Sequence, residues 1–412
     1  MKKNIPVAQV SACLMVMALL FSSCFKDSCR HAYKLFTPVY TKLTELRAAV
    51  QSQPVMPVTN AGKLYIKDNW IFLNEQNKGI HVIDNSNPAH PVKTTFINIP
   101  GNIDMSVKGN ILYTDLYCDI AAINISNPSH IAVARYLTNV FPEKSLSTAS
   151  NPDSINVITG WASRDTIMDC ETARSCPNCS ISLVPGAQFN AASATATTTG
   201  AGGSMARFAA VDNYMYALSI SNLNIIDINE AANPLLVKRK PMGWDIETIF
   251  PYNNKLYIGA GNSMSVYDLQ NPADPQQLSW SGHWCSGDPV VADGNYAYIT
   301  LHAANVCGSK VNQLEIYNLN TPNNPALVKT YPLTNPLGLS KDGNLLFICD
   351  DGLKVYDAAD AANLKLIKHI TGIETYDVIA SNGIAYIVAK DGLYQYDYSN
   401  PQNIHLLSRL SK

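Results

Sequence analysis

The chain has 412 residues, of which 47% are hydrophobic and only 15% are charged, against a usual charged fraction of ~25%. This composition excludes an intrinsically disordered chain and a coiled coil. With 30 basic and 32 acidic residues, the formal net charge is -2, so no charge excess points to nucleic acid or an anionic membrane as the main partner.

Residues 1–23 have the pattern of an export signal. Two lysines follow the first methionine, residues 10–21 form a short apolar run, and two serines precede Cys24. The segment resembles a bacterial lipoprotein signal, which implies cleavage before Cys24 and lipidation of this cysteine. The alternative is an ordinary secretory signal cleaved near Ser23. Both alternatives predict an extracytoplasmic protein, and the charged pair Lys26-Asp27 favours the outer membrane or cell surface.

Residues 24–61 are predicted to form a tether that includes one short helix. Within residues 42–53, Leu43, Leu46 and Val50 have the spacing of one helical face. Pro54 follows this pattern directly and would end the helix. We expect this N-terminal arm to space or cap the folded body.

From residue 62 onward, a unit of about 40 residues occurs seven times. Each unit contains an apolar strand with an aromatic residue at a fixed place, and then a second strand that closes on Asp or Asn. The aromatic residues are Phe72, Tyr113, Tyr216, Tyr257, Tyr298, Phe347 and Tyr386. The closing residues are Asp84, Asn124, Asp227, Asp268, Asn318, Asp357 and Asp397.

Four short strands fit into such a unit, which is typical of a β-propeller blade. A solenoid of stacked repeats is the structural alternative, but its terminal repeats would be atypical, and the last unit is regular. We therefore predict an all-β fold, with a seven-bladed β-propeller over residues 62–412. A cysteine-containing loop insertion at about 138–205 separates the second and third units. An eighth, degenerate blade inside this insertion is the alternative.

The closing segments HVID, NIID and SVYD, with the Asn-Pro turns that follow, resemble the LVIVD repeat of bacterial β-propellers. The resemblance covers residues 62–412 apart from the insertion. It implies an exported or surface propeller, in a family whose members mostly have no assigned activity, and it carries over no catalytic residues. The segments AAIN, EIYN and YQYD depart from the pattern, which indicates variation in blade packing.

Loop lengths distinguish the two faces of the predicted propeller. If the strands of a blade are named A to D from the centre outward, the A–B and C–D connections are short turns. The insertion at 138–205 and the long loop 302–313 fall in the D–A and B–C connections. These connections emerge on one face, called the insertion-bearing face below, and the opposite face is the turn face. Long loops on a rigid scaffold commonly carry binding sites.

Seven cysteines are assigned to the insertion-bearing face, and export would allow them to form disulfides. Cys285 and Cys307 are the first candidate pair, with Cys349 as the substitute partner. The close spacing of cysteines within residues 170–179 also leaves open part of a zinc knuckle or a thiol–disulfide motif. The disulfide candidates are Cys118, Cys170, Cys176, Cys179, Cys285, Cys307 and Cys349.

Counting back from the shared aromatic residues places a polar ring at the start of the A strands, where the channel opens on the insertion-bearing face. Such a ring, with nearby aromatic and histidine side chains, can bind a polar ligand. It can equally only satisfy backbone groups where the strands converge. The ligand-binding candidates are Asp104, Arg207, Glu247, Asp288, Asp377, Trp161, His283, Trp284 and His302. The glycine-rich stretch 200–208 lacks the lysine and helix of a phosphate-binding loop, so we predict a flexible loop there.

The sequence contains neither a G-x-S-x-G nucleophile elbow nor an HExxH motif, so no catalytic residue is predicted. The favoured hypothesis is a lipid-anchored binding module of the cell envelope. It would bind a protein or glycan partner through the insertion-bearing face and touch the membrane through its anchor only. The alternative is an extracytoplasmic hydrolase or lyase acting on a carbohydrate-like substrate at the channel mouth. No cofactor is predicted, although a structural cation at the channel mouth is considered.

Overall fold

The computed structural model describes residues 30–145, 154–169, 201–243, 245–283, 289–303 and 311–412. The chain divides into two compact units. The smaller unit contains Met1–Val39 and Gly160–Ala187, and the larger contains Tyr40–Thr159 and Gln188–Lys412. Strand β1 (Arg30–Lys42) pairs with β11 (Asn156–Asp169) in a two-stranded sheet, which supplies the described part of the smaller unit.

The larger unit forms seven antiparallel sheets, each built on four consecutive strands in simple up-and-down order; the sheet of blade 1 gains one further strand at each edge and so has six. Blades 1 to 4 consist of β3 (Ala61–Lys67), β4 (Trp70–Glu75), β5 (Gly79–Asp84) and β6 (Val92–Asn98); β7 (Met105–Lys108), β8 (Ile111–Leu116), β9 (Asp119–Asn124) and β10 (Ala132–Leu137); β13 (Phe208–Val211), β14 (Tyr214–Leu218), β15 (Asn222–Asp227) and β16 (Leu235–Pro241); and β17 (Ile246–Tyr252), β18 (Lys255–Ala260), β19 (Ser263–Asp268) and β20 (Gln276–Gly282). Blades 5 to 7 consist of β21 (Val290–Asp293), β22 (Tyr296–Leu301), β23 (Gln313–Asn318) and β24 (Ala326–Pro332); β25 (Leu339–Asp342), β26 (Leu345–Cys349), β27 (Leu353–Asp357) and β28 (Lys365–Ile370); and β29 (Thr375–Ser381), β30 (Ile384–Ala389), β31 (Gly392–Asp397) and β32 (His405–Ser411).

The innermost strand of every blade contacts the innermost strands of both neighbouring blades, so the seven sheets form a closed ring. The predicted seven-bladed propeller is confirmed, and the eight-bladed alternative is wrong. Each blade is one continuous stretch of chain, so the ring closes between blade 7 and blade 1 through side chains and not through a shared sheet. The closing contacts include a hydrogen bond from Gln395 Nε2 to Asn85 Oδ1 (2.7 Å) and one from Ser408 Oγ to the Pro88 carbonyl (2.7 Å).

The closing Asp or Asn of each repeat has the same local role in all seven blades. Its Oδ1 atom accepts a hydrogen bond from the backbone N–H two residues later, which begins the turn between strands C and D. Strands C and D also share a register shift in every blade. The repeated Asp or Asn is therefore explained by the C–D turn, which needs a side-chain acceptor at this position.

The shared aromatic residue of strand B packs between neighbouring blades and is buried in each case. Where it is tyrosine, its hydroxyl can reach the next blade. Tyr113 donates to the Ala231 carbonyl (2.7 Å) and Tyr216 to the Pro272 carbonyl (2.9 Å), both in the C–D turn of the following blade. These bonds fix the position of one blade against the next.

The N-terminal arm differs from its prediction. Helix α1 spans only Leu43–Ala48, and residues Gln51–Gln53 form strand β2 on the outer edge of blade 1. The helix is shorter than predicted because the free edge of β6 accepts these residues as a further strand. Leu43 and Leu46 are buried, as the helical pattern predicts. Arg47 Nη2 forms an ion pair with Asp119 Oδ2 of blade 2 (2.6 Å), which holds the helix on the propeller.

Within the insertion, β11 is one long strand that pairs with β1. The last described element of the insertion is β12 (Ala201–Gly202), which pairs with β3. Among the described residues, no helix is long and apolar enough to cross a membrane.

We expect Tyr216→Phe to lower the free energy of unfolding by about 1 kcal/mol, because it removes the hydroxyl that bonds blade 3 to blade 4. The matched control is Tyr257→Phe at the same position of blade 4, where the described chain offers the hydroxyl no such bond. Chemical denaturation of both variants measures the difference. Equal losses in the two variants would contradict a role for the inter-blade bond.

Candidate functional site

A segment of the chain itself occupies the axis of the propeller. In β12, Ala201 pairs with Ile66 and Gly202 with Tyr65 of the innermost strand of blade 1, in antiparallel orientation. Because β3 runs toward the turn face, the segment that starts at residue 201 runs toward the insertion-bearing face. Residues 202–206, called the axial segment below, are all buried.

The axial segment is held by groups from blades 1, 6 and 7. Lys63 Nζ donates to the Met205 carbonyl (2.7 Å), and the Leu339 N–H donates to Ser204 Oγ (2.8 Å). A Cβ atom on Gly203 would lie 2.0 Å from Asp377 Oδ2, so only glycine fits. The prediction of a flexible glycine-rich loop is wrong for these residues, because the glycines permit close packing at the axis.

A buried ion pair lies next to the axial segment. Lys63 Nζ is 3.2 Å from Asp104 Oδ2, and the two residues are only 2% and 3% exposed. Asp104 also accepts hydrogen bonds from the backbone N–H groups of Arg207 (2.6 Å) and Phe208 (3.2 Å). Burial lowers the pKa of Lys63, and the charge of Asp104 opposes this shift.

The Lys63 ammonium therefore lies where the sequence suggested a structural cation. Among the described residues, no group of three or more His, Cys, Asp or Glu side chains is arranged to hold a metal ion.

Asp377 is the second carboxylate of the cluster and is 2% exposed. Gly203 and Gly338 leave room for it, since a Cβ on Gly338 would lie 2.2 Å from Asp377 Oδ1. Neither carboxylate oxygen has a hydrogen bond of good geometry, although the Ser204 hydroxyl and the Val378 N–H lie beside them. Burial raises the pKa of Asp377 well above its ordinary value, while the N–H of Val378 and the charge of Lys63 oppose the shift.

The structure thus places four of the predicted ring residues near the axis. They do not form the open polar ring that the sequence predicts at the channel opening. Asp104 and Asp377 are enclosed, whereas Arg207 and Glu247 are half-buried. Burial lowers the pKa of Arg207, and the negative charges of Asp104, Asp115 and Glu247 oppose this effect. Arg207 also lines a small cavity of about 130 Å³. Burial favours a structural role for Asp104 and Asp377, and ligand binding by the ring stays a prediction.

The other candidates are separate from this cluster. His283 lies at the end of blade 4, on a groove at the rim of the insertion-bearing face. His302 follows the B strand of blade 5, and burial lowers its pKa. Trp161 lies in the smaller unit and is 46% exposed. Asp288 and Trp284 lie outside the described residues.

The turn face holds a larger cavity than its short loops suggest. Its volume is about 810 Å³, with Gly202, Gly203 and Ser204 at one end. Polar residues of the A–B turns of blades 3 to 7 form its walls, including Asp212, Asn253, Asp293, Asp342 and Asn382. Lys341 of this cavity forms an ion pair with Asp293 (2.5 Å).

Sequence reasoning missed Lys63 and Ser204. Lys63 could have been found, because it precedes Phe72 by nine residues, as Asp104 precedes Tyr113 and Asp377 precedes Tyr386. Ser204 carries no such signal, since it lies in the insertion and outside the repeat.

Two disulfide candidates are described by the structure, and both differ from the prediction. Cys118 and Cys349 are free, buried thiols within blades 2 and 6. Burial raises the pKa of Cys118 to about 12 and that of Cys349 well above its ordinary value. Cys118 packs with apolar residues of the N-terminal helix and of the insertion, and Cys349 packs between blades 6 and 7. The candidates Cys170, Cys176, Cys179, Cys285 and Cys307 lie outside the described residues.

We expect Cys118 and Cys349 to resist iodoacetamide at pH 8 in the folded protein, because burial blocks access and disfavours the thiolate. In denaturant without reductant, both should become alkylated, as peptide mass spectrometry would measure. Failure to react in denaturant until a reductant is added would mean that the two cysteines are in disulfides after all.

We expect the free energy of unfolding of Asp377→Asn to increase, relative to that of the wild type, as pH rises above about 4. The pKa of this carboxyl is higher in the folded protein than in the unfolded chain. Between these two pKa values the carboxyl ionises in the unfolded chain only, so the free energy of unfolding of the wild type falls as pH rises. Each pH unit between these two values corresponds to about 1.4 kcal/mol.

Denaturation curves from pH 4 to pH 8 for the wild type and the variant would measure this difference. The control is Asp397→Asn, which changes an exposed carboxylate in a C–D turn. A stability difference for Asp377→Asn that does not change with pH would show that the carboxyl titrates normally.

Residues 59–95, which include blade 1 up to its last strand, match the LVIVD repeat. No curated protein is similar enough in sequence to count as a relative. In structure, the chain is similar to the computationally designed protein Ika8, with 12% identity over 86% of this chain and 87% of that chain and a TM-score of 0.50. At this identity the likeness concerns the fold alone.

Two bacterial structures match more loosely. BamB from Moraxella catarrhalis has 10% identity over 88% of this chain and 97% of that chain, with a TM-score of 0.47. PorZ of Porphyromonas gingivalis, an essential surface component of the type-IX secretion system, has 10% identity over 88% and 39% of the two chains, with a TM-score of 0.45. No functional conclusion rests on either match.

Proposed function

We propose that this LVIVD-repeat propeller is an exported binding module, anchored by lipid at Cys24 in the outer membrane or at the cell surface. It binds a protein or glycan partner through its insertion-bearing face and its insertion, and it is not an enzyme. The N-terminal pattern that ends at Cys24 supports the anchor.

The observation that carries the proposal is the occupied axis. Lys63, Asp104 and Asp377 are buried, and Lys63 and Asp104 bond to each other and to backbone groups of the chain. These charged groups are therefore used to hold the axial segment and its continuation into blade 3. An enzyme acting at the channel mouth would need the same groups open to substrate, so their enclosure favours binding at the surface over catalysis.

The insertion supports the proposal from the smaller unit. Its strand β11 exposes Trp161 (46%) and Ile167 (72%), and Val39 of β1 is 44% exposed. An aromatic residue exposed on the same two-stranded ribbon as other apolar side chains can act as the anchor of a binding surface. The ribbon of β1 and β11 is thus a candidate contact surface.

The anchor is tested with Cys24→Ala in the producing bacterium. We expect the wild type to enter the detergent phase on phase separation and the variant to remain in the aqueous phase. Equal distribution of the two proteins would remove the anchor from the proposal.

The binding role is tested by pull-down from solubilised envelopes of the same bacterium, followed by identification of bound protein and sugar. We expect Trp161→Ser combined with Ile167→Ser to reduce recovery of the bound partner at least about tenfold, because a buried aromatic anchor and its neighbour commonly contribute over 1.4 kcal/mol. The matched control is Leu406→Ser, which changes an exposed leucine of blade 7 (47% exposed). Full recovery with the double variant would exclude the insertion as the contact surface.

A further inference from the structure

We propose that the rim groove between blades 4 and 5 binds a neutral oligosaccharide, with the indole of Trp280 as the surface on which a sugar ring stacks. The inference rests on the proposed function, because it names a glycan as the partner and gives it a site on the insertion-bearing face. The groove has a volume of about 450 Å³, within the range of ligand sites. Trp280, His283 and Glu315 are among the residues that line it.

The position of the groove follows from the strand order. Gly282 ends strand D of blade 4, and Asn262 lies in the B–C turn of the same blade. Both connections belong to the insertion-bearing face. Glu315 comes from strand C of blade 5, so side chains from two blades converge on the groove.

Trp280 is held as a platform and not as a packing residue. The residue is 60% exposed, and its six-membered ring lies over Gly282, where a Cβ would be 2.6 Å from Trp280 Cη2. Glycine at 282 therefore allows the indole to lie along the strand and leaves much of the ring in the open. Such an amphipathic ring can cover the C–H face of a pyranose, while its N–H remains a hydrogen-bond donor.

Trp280 pairs with the strand C residue that lies three before the closing Asp of blade 4. Blades 1 and 2 also have an aromatic residue at this position, but Phe96 is buried and Tyr136 is half-buried beneath Arg47. The residues at the same position of blades 3, 5, 6 and 7 are Arg239, Thr330, His369 and Arg409. An aromatic residue at this position is therefore exposed in blade 4 alone, where it lines the groove.

Polar groups with fixed positions stand beside the platform. Glu315 is 5% exposed, and its two oxygens accept hydrogen bonds from Gln313 Nε2 (2.7 Å) and the Tyr317 hydroxyl (2.8 Å). The backbone N–H of His283 donates to the Asn262 carbonyl (3.0 Å), which fixes the residue at the groove. A carboxylate with remaining lone pairs accepts hydrogen bonds from hydroxyl groups and repels anionic groups. The groove therefore matches a neutral, hydroxyl-rich ligand.

A protein partner is the competing occupant, because Leu327 in the groove is also exposed. Protein hot spots, however, cluster with further anchor residues near the centre of an interface. Here a single open aromatic face is flanked by a buried carboxylate and by polar residues of two blades. This arrangement favours the sugar.

The test is calorimetric titration of the purified full-length protein, in mild detergent, with neutral tetrasaccharides of β-1,4-linked glucose, N-acetylglucosamine or mannose and of α-1,4-linked glucose. We expect at least one of them to bind. Trp280→Ala should weaken that binding at least about tenfold, which corresponds to about 1.4 kcal/mol. Gly282→Ala should also weaken it, because the new methyl group displaces the indole.

The matched control is Arg409→Ala, at the position of blade 7 that corresponds to Trp280, and it should bind as the wild type does. Tetragalacturonate should bind more weakly than the best neutral sugar, and Glu315→Gln should reduce this discrimination. Thermal unfolding of each variant confirms that the propeller is intact.

Absence of binding to all the neutral tetrasaccharides, or binding that Trp280→Ala leaves unchanged in a folded protein, would overturn the inference. Partner recovery that depends on Trp161 and Ile167 would then still support the proposed binding role. If partner recovery does not depend on Trp161 and Ile167 while the tetrasaccharide still binds, the groove remains a sugar site. The insertion is then excluded as the contact surface.

Discussion

The axis of the propeller depends on one buried ammonium group. Lys63 is enclosed together with Asp104 and the carbonyl of Met205, at 3.2 Å and 2.7 Å. Removing a charge from water is costly unless the protein supplies partners, and here blade 1 supplies the cation, blade 2 the carboxylate and the insertion the carbonyl. Groups from blades 1, 2, 3, 6 and 7 meet around the axial segment, so these contacts also join distant parts of the chain. Because the axis is occupied, the rim and the insertion are the surfaces at which we propose binding.

The ring around this axis is built from the same few interactions, repeated. An Asp or Asn oxygen begins each C–D turn, and a buried aromatic ring fills each space between blades. Where a blade departs from the repeat, the departure has a different cause. Trp280 is an example, because its indole lies exposed over Gly282, whereas Phe96 at the same position of blade 1 is buried.

The blades could be predicted from the sequence because their constraints are local. Each C–D turn needs a side-chain oxygen, such as Asp397 Oδ1, that accepts a hydrogen bond from the N–H two residues later. Each B strand likewise has an aromatic residue, such as Tyr216, at the same position. Both features occur again in every repeat. The axial segment could not be predicted, because Gly202 has no periodic pattern and its strand partner Tyr65 is distant in sequence. The helical arm was only partly predictable, since the edge of β6 takes up Gln51–Gln53 as a strand. Of the candidate site, the ring positions were accessible by counting, but their enclosure was not, because it depends on a segment outside the repeat.

The contacts that complete the propeller join residues very far apart along the chain, which has a kinetic consequence. Met205 meets Lys63 across 142 positions, Leu339 meets Ser204 across 135, and Gln395 meets Asn85 across 310. Individual blades can form early from neighbouring residues, but the axis cannot be filled until blade 6 and blade 7 have been synthesised. Long-range closure of this kind slows folding and leaves strand edges open in the meantime. A partly made chain would therefore be an array of half-stable sheets that needs protection from association until its last forty or so residues arrive.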